Sequence, residues 1–169
     1  MKTSKRVALC GLLVAAARVL SLVEYMFPLQ AAVPVPGIKL GLANVVTLFA
    51  LTRLGLRDTA AIVLVRVTLS SVFMGSVTAF LFSLFGGLLS MLVMCLLLRG
   101  SGRIFSLPGI SVAGAATHNI GQIAAAVIVL GTADVIGYLP FLLVLSIPMG
   151  LATGAVCAAV LGHLQKLDL

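Results

Sequence analysis

Long apolar stretches, separated by short polar breaks, follow one another along the whole chain. A helix needs roughly 20 apolar residues to cross a bilayer, and most of the stretches reach that length. None alternates with the two-residue period of a strand, and a helix satisfies its backbone hydrogen bonds internally in lipid. The pattern predicts one domain, an all-α integral membrane protein, folded as a compact bundle of about six transmembrane helices with spans at about 7–27, 40–54, 58–74, 77–98, 110–130 and 138–164.

The breaks between these spans are rich in proline, glycine and charged residues. Four proline and glycine residues break the chain after the first span, so 29–39 is predicted to be a loop. Asp58 is the predicted N-cap of the third span, 99–108 is a predicted loop, and Pro148 is expected to kink the last span. The second and third spans are short for a bilayer, so we expect them to be thin, tilted or shielded by neighbouring helices.

Composition supports the membrane interpretation and excludes several classes of function. Of 169 residues, 62% are hydrophobic and 9% are charged, whereas a soluble domain carries about a quarter charged residues. No room is left for a soluble catalytic domain beside the spans. The net charge is +7, but the basic residues are scattered along the chain and not clustered as in a nucleic-acid-binding face. The predicted environment is therefore the lipid bilayer, with no nucleic acid as a partner.

The positions of the basic residues predict the orientation of the bundle. Cytoplasmic loops of membrane proteins carry an excess of lysine and arginine. If the N-terminus is cytoplasmic, only Lys39 falls in an outer loop. The cytoplasmic side then holds Lys2, Lys5, Arg6, Arg53, Arg57, Arg99, Arg103 and Lys166. This asymmetry predicts an even number of spans with both termini cytoplasmic. The first apolar stretch contains Arg18 and lacks a clear cleavage site, so it is expected to be a retained helix, not a signal peptide.

Some charged residues fall inside the predicted spans, away from the cytoplasmic ends. Arg18 and Arg66 lie near the middle of theirs, and Glu24 lies in the outer half of the first span. Such groups are costly in lipid and usually face the interior of a bundle. They indicate either a polar binding pocket or structural ion pairs. For Glu24, the simple alternative is a pair with Lys39 at the outer rim.

The fifth span carries a face of polar side chains. His118, Asn119 and Gln122 lie three and four residues apart, so they share one side of a helix. Asn44 on the second span is another amide within an apolar run. Amides in these positions bind either a ligand or a neighbouring helix. A single histidine without nearby cysteine or acid is a poor metal site, so no metal is predicted.

Small residues recur at four-residue spacing, which lets helices approach closely. The pairs are Gly11 with Ala15, Gly121 with Ala125, and Gly150 with Gly154. Internal packing is the expected role on the fifth and sixth spans. On the first span, a partner helix from another subunit is the alternative.

The sequence offers little for catalysis. It has four acidic residues, no paired carboxylates, no nucleophile with a base and no phosphate-binding loop. Three cysteines lie singly in apolar runs and are expected to be packing residues. The chain is therefore predicted not to be an enzyme and to hold no cofactor.

Three segments together resemble the Gx transporter family, also labelled heptaprenyl diphosphate synthase component I. They are ALCGLLVAAARVLSLVE, PGIKLGLANVVTLFAL and ATHNIGQ. That family is similar to the S components of energy-coupling factor transporters. These are six-helix proteins of the bacterial plasma membrane that bind vitamins from the outer side and depend on a membrane T subunit and ATPase subunits. Prenyl synthases hold magnesium with aspartate-rich motifs, which this chain lacks.

The resemblance implies a substrate-capture subunit that takes a small molecule from outside, over loop 29–39. The excess of cations indicates an anionic substrate. The predicted substrate-binding residues are Lys39, Asn44, Arg66, Asn119 and Gln122, with Arg18 and His118 behind them. Gly11 and Ala15 are predicted to meet the partner subunit. The alternative is a non-catalytic accessory subunit of heptaprenyl diphosphate synthesis or of a membrane redox assembly.

Overall fold

A computed structural model describes residues 3–26, 39–102 and 104–166 of the chain. The regular elements in these ranges are helical, which confirms the predicted all-α membrane bundle. A short 3-10 helix, Asp134–Tyr138, precedes the last of six α-helices. The α-helices are α1 (Thr3–Tyr25), α2 (Asn44–Arg53), α3 (Leu56–Met74), α4 (Val77–Leu98), α5 (Leu107–Leu130) and α6 (Leu139–Lys166).

Four helical stretches within the described ranges are long and apolar enough to cross a membrane. They are Thr3–Glu24, Val77–Leu98, Leu107–Leu130 and Asp134–Lys166. Helix α2 has ten residues. Its length of roughly 15 Å is half the thickness of the hydrocarbon core. Helix α3 has nineteen residues and carries Arg57, Asp58 and Arg66.

Helix α2 lies in the middle of the bundle. It contacts each of the other five α-helices, and six of its ten residues are buried. Leu48 and Ala50 are fully buried in it. The expectation that the second span is shielded by its neighbours is thus confirmed. A helix this short does not need to match the thickness of the bilayer, because protein covers most of its surface.

The ends of α3 and α5 differ from the prediction. Helix α3 begins at Leu56 after Gly55, and Asp58 accepts a 2.5 Å hydrogen bond from Arg6 Nε on α1. The prediction of Asp58 as the N-cap was therefore wrong, because its carboxylate faces another helix. Helix α5 begins at Leu107, with Ser106 as its N-cap. Pro108 lies in the first helical turn, where no backbone donor is needed, so the loop predicted to reach it ends sooner.

The last span also differs in detail. The break between the fifth and sixth predicted spans contains most of the 3-10 helix, and α6 then runs from Leu139 to Lys166 through Pro148.

Glycine residues bring α4, α5 and α6 into close contact. A Cβ atom on Gly121 would lie 2.8 Å from Gly86 Cα, and one on Gly150 would lie 2.4 Å from Val112 Cα. Neither position has room for a side chain, because the obstacle is backbone. The small residues of the fifth and sixth spans therefore serve internal packing, as predicted.

Candidate functional site

A small polar cavity lies inside the bundle, enclosed by α1, α3, α4, α5 and the residues that precede α2. Its volume is about 10 Å³, which is room for roughly one water molecule. Seven of its nine lining residues are polar or charged. We call it the polar cavity; its lining residues are Ser21, Glu24, Lys39, Gly41, Arg66, Val67, Ser70, Ser83 and His118.

Lys39 to Leu42 form one wall of the polar cavity, and we call this stretch the entry segment. The side chain of Gln122 on α5 binds both the backbone N–H and the backbone carbonyl of Lys39. Lys39 N donates to Gln122 Oε1 at 2.9 Å, and Gln122 Nε2 donates to Lys39 O at 2.8 Å. Lys39 Nζ also donates to Ser83 Oγ on α4 at 3.2 Å. The entry segment is thus held by α5, and its ammonium group is directed into the bundle.

Glu24 holds the other end of the entry segment. Its Oε1 accepts from the backbone N–H of Gly41 and from that of Leu42, the latter at 3.3 Å. These residues begin the turn that leads into α2, because Asn44 N donates to Gly41 O at 2.9 Å. Glu24 therefore satisfies backbone donors at the start of α2, as a capping residue does. Glu24 also interacts electrostatically with Lys39, and both residues are buried, not at an exposed rim.

Arg66 is a buried cation on α3, and its residue is 6% exposed. Its Nε has no hydrogen-bond partner among the residues that the structure describes. It forms no ion pair within the described part of the chain, although Glu24 acts on it electrostatically. Gly87 on α4 leaves the space that the guanidinium occupies, because a Cβ there would lie 3.3 Å from Arg66 Nη2. A buried charge that lacks an ion-pair partner costs several kcal/mol.

Asn44 and His118 flank Gly41 beside the polar cavity. A Cβ on Gly41 would lie 2.9 Å from Asn44 Nδ2 and 3.2 Å from a ring carbon of His118. Within the described part of the chain, both amide atoms of Asn44 and the Nδ1 of His118 are buried without a hydrogen-bond partner. Buried polar groups are normally hydrogen-bonded, so three such atoms on two neighbouring residues are unusual. Gly41, at φ +85°, is the thin wall that separates Asn44 from the cavity.

The remaining predicted site residues have structural partners. Gln122 binds the entry segment, and Asn119 Nδ2 donates to Leu142 O on α6 at 2.9 Å. Arg18 donates to Ser70 Oγ at 3.2 Å and lies over the ring of Phe73, 5.1 Å from its centre. It is half-buried between α1 and α3 and reaches the polar cavity only through Ser70. The structure thus brings Lys39, Arg66 and His118 to the cavity wall and Asn44 beside it.

Sequence reasoning missed the serine residues of the wall and the capping role of Glu24. Helical spacing carried a signal for some of them, since Ser70 follows Arg66 by four residues and Ser21 precedes Glu24 by three. No such spacing indicated Ser83, because only the packing of α4 brings it to Lys39. Within the described ranges, no group of three His, Cys, Asp or Glu residues is placed to hold a metal ion.

The residues predicted to meet a partner lie on the surface. Gly11 and Ala15 on α1 are exposed, and no atom comes within 4 Å of a Cβ built on Gly11. An apolar groove of about 500 Å³ opens next to them between α1 and α6, with α2 as its floor. Their role as an interface stays a prediction.

A family model described as heptaprenyl diphosphate synthase component I matches residues 13–160, which is most of the chain. No curated protein and no solved structure matches this chain. The resemblance to that family, seen in the sequence, is therefore confirmed.

Proposed function

We propose that this chain, which belongs to the heptaprenyl diphosphate synthase component I family, is a non-catalytic membrane subunit that binds a small anionic molecule for uptake. Its energising subunits are separate chains. The observation that carries the proposal is Arg66, a buried guanidinium on the wall of a polar cavity, whose Nε has no hydrogen-bond partner among the described residues. A ligand anion is the natural partner for such a group, because arginine pairs with carboxylate and phosphate through strong charge-assisted bonds.

The charges around the polar cavity support an anionic ligand. Lys39 and Arg66 line it, and the one lining acid, Glu24, is already bound to two backbone N–H groups. Asn44 and His118 add polar groups with unmet bonds that can orient a ligand. The ligand is bound chiefly by the cations and is positioned by the neutral groups.

The direction of uptake follows from the charge pattern of the loops. We place both termini in the cytoplasm of a bacterium and the polar cavity in the outer half of its plasma membrane. Glu24 lies near the C-terminal end of α1, far along that helix from the Arg6–Asp58 pair. The entry loop at 29–38 lies outside the described residues, and Lys39 continues from it.

Partner subunits complete the proposal. We assign a membrane T subunit and ATPase subunits, because the chain has no phosphate-binding loop of its own. The exposed face with Gly11 and Ala15, next to the apolar groove, suits close contact with another membrane helix.

Binding of anions to the purified protein in neutral-lipid nanodiscs tests the function. A mixture of small carboxylates and phosphates should stabilise the wild type against heat. Arg66→Ala should lose this effect, whereas Arg99→Ala, which removes an exposed arginine, should keep it. Equal behaviour of the two variants would contradict the assignment of the cavity.

The family name favours a second candidate, an accessory subunit of heptaprenyl diphosphate synthesis. In that role the chain would hold or position an anionic intermediate for a separate synthase. Co-purification distinguishes the candidates. Recovery of a prenyl synthase without ATPase subunits favours the accessory role, and recovery of ATPase subunits favours uptake.

A further inference from the structure

We propose that the group held in the polar cavity is a doubly charged tetrahedral oxyanion of the phosphate class. The inference rests on the proposed function, since it names the chemistry of the anion. It follows from three properties of the cavity, namely its hydroxyl donors, its charge and the direction from which its donors come.

Two serine hydroxyls on the wall are arranged as donors. Ser70 Oγ accepts from Arg18 Nη1, and Ser83 Oγ accepts from Lys39 Nζ, each at 3.2 Å. Neither hydroxyl donates a hydrogen bond within the described part of the chain. A hydroxyl carries one donor and two acceptor sites, so each serine keeps its hydrogen for a further acceptor. Ser21 differs, because it gives its hydrogen to Ala17 O at 3.0 Å.

The balance of charge favours two negative charges on the ligand. Lys39 and Arg66 line the polar cavity together with the carboxylate of Glu24, and Arg18 is a third cation held against Ser70. The cations exceed the acid by two. A phosphate monoester carries about −1.5 to −2 at neutral pH and nearly balances this excess, whereas a single carboxylate balances about half of it.

The donors approach the polar cavity from different sides. Arg66 and Ser70 come from α3, Ser83 comes from α4, and Lys39 comes from the entry segment. A planar carboxylate accepts its bonds close to one plane, whereas the oxygens of a tetrahedral group spread in three dimensions. The arrangement of donors therefore fits a phosphate group better than a carboxylate.

The size of the polar cavity requires a compact group and a wall that gives way. About 10 Å³ is free, and the described lining residues outside the helices are Lys39 and Gly41. A phosphate group is larger than this free volume, so the non-helical part of the wall must shift to admit it. The rest of the ligand then lies on the side of the entry segment.

Calorimetric titration of the full-length protein in phosphatidylcholine nanodiscs tests the inference. The probes are glycerol 3-phosphate and malonate, which carry similar charge. Glycerol 3-phosphate carries it on one tetrahedral phosphate, and malonate carries it on two planar carboxylates. Glycerol 3-phosphate should bind about tenfold tighter than malonate or better, and Ser70→Ala and Ser83→Ala should each weaken it about threefold to tenfold. Ser71→Ala is the matched control, because this neighbour on α3 already donates to Thr68 O.

The outcomes separate the inference from the proposed function. If malonate binds as tightly as glycerol 3-phosphate and Arg66→Lys weakens both, the phosphate class is wrong but anion binding stands. If neither probe shows binding that depends on Arg66, both proposals fail. Binding of glycerol 3-phosphate that is unchanged in both serine variants would also overturn the inference, because the hydroxyl donors carry it.

A phosphate group can belong to a soluble molecule or to a lipid. Nanodiscs that contain phosphatidic acid distinguish these sources. If phosphatidic acid blocks glycerol 3-phosphate in the wild type, the group comes from a lipid headgroup. If it does not, the ligand is soluble. Either result supports the phosphate class provided that the serine variants weaken the binding.

Discussion

Buried polar residues of this protein fall into two groups with opposite effects on stability. Asn119 and Gln122 have backbone partners and join elements of the bundle. Asn44, Arg66 and His118 contain buried atoms without partners. A buried polar group that lacks a partner costs about 1–3 kcal/mol. The second group therefore lowers stability in the unliganded protein, and a bound ligand would offset that cost.

Asn44→Leu tests this cost at a single residue. Asn44 is 1% exposed and both of its amide atoms lack partners, so an apolar residue of similar length removes the penalty. We expect the free energy of unfolding to rise by about 1–3 kcal/mol and anion binding to weaken. Thermal unfolding and ligand titration in nanodiscs measure the two effects.

Asn119→Leu is the matched control, because its amide donates to Leu142 O. This variant should lose stability by about 1–3 kcal/mol, since a buried carbonyl is left without its donor. A loss of stability in Asn44→Leu similar to that in Asn119→Leu would show that the Asn44 amide has a structural role.

At the scale of elements, the entry segment differs from the helices around it. Side chains of α1 and α5 bind three of its backbone N–H groups and the carbonyl of Lys39, and two further carbonyls accept from the start of α2. It is the wall of the polar cavity that lies outside the helices.

Gln122→Ala should release the entry segment. Both hydrogen bonds to the Lys39 peptide are lost, so we expect the backbone amides of 39–42 to exchange with deuterium about tenfold faster or more. Hydrogen exchange read by mass spectrometry measures this change. Gln165→Ala removes an exposed glutamine near the end of α6 and should leave the exchange rate unchanged. Unaltered exchange in Gln122→Ala would mean that other contacts hold the segment.

The contact between α5 and α6 depends on glycine. Gly150→Ala places a Cβ against the backbone of Val112 and should cost about 1–3 kcal/mol, because two helices must separate. Gly162→Ala, on the same helix, meets no atom within 4 Å and should be neutral or stabilising by about 0.5–1 kcal/mol. Thermal unfolding compares the two. A neutral Gly150→Ala would contradict the close approach of α5 and α6.

At the scale of the whole molecule, the ion pair of Arg6 with Asp58 places the starts of α1 and α3 at the same end of the bundle. This agrees with the alternation of spans that the basic residues predict. The polar cavity lies toward the C-terminal end of α1, where Glu24 meets the start of α2.

Cysteine labelling in intact cells tests the orientation. In a variant without the three native cysteines, Ala133→Cys should react with a membrane-impermeant maleimide and Ser101→Cys should not. Both positions are exposed, and they lie in loops on opposite sides of the predicted topology. Labelling at 101 but not at 133 would reverse the orientation and with it the direction of uptake.

The sequence predicted the all-α membrane class because hydrophobic length is a local property. Spans of α1, α4, α5 and α6 lie within a few residues of their predicted ends. The predicted cap at Asp58 was wrong, since Arg6 lies 52 residues away and no local pattern indicates that contact. Predictions of helix position were therefore correct where residues of the same helix determine it. The prediction for Asp58 failed because a residue distant in the sequence determines its contact.

The same distinction applies to the candidate site. The sequence alone already determined the membrane environment and the short second span. It also determined which polar residues fall within the spans, where burial in lipid is costly at any position. Which of them have partners was decided only by the tertiary structure. Asn119 and Gln122 share one helix face with His118, yet their amides bind Leu142 and Lys39 while His118 Nδ1 has no partner. The physical reason is that a hydrogen bond needs a donor and an acceptor. For these side chains, the second group comes from another element of the fold.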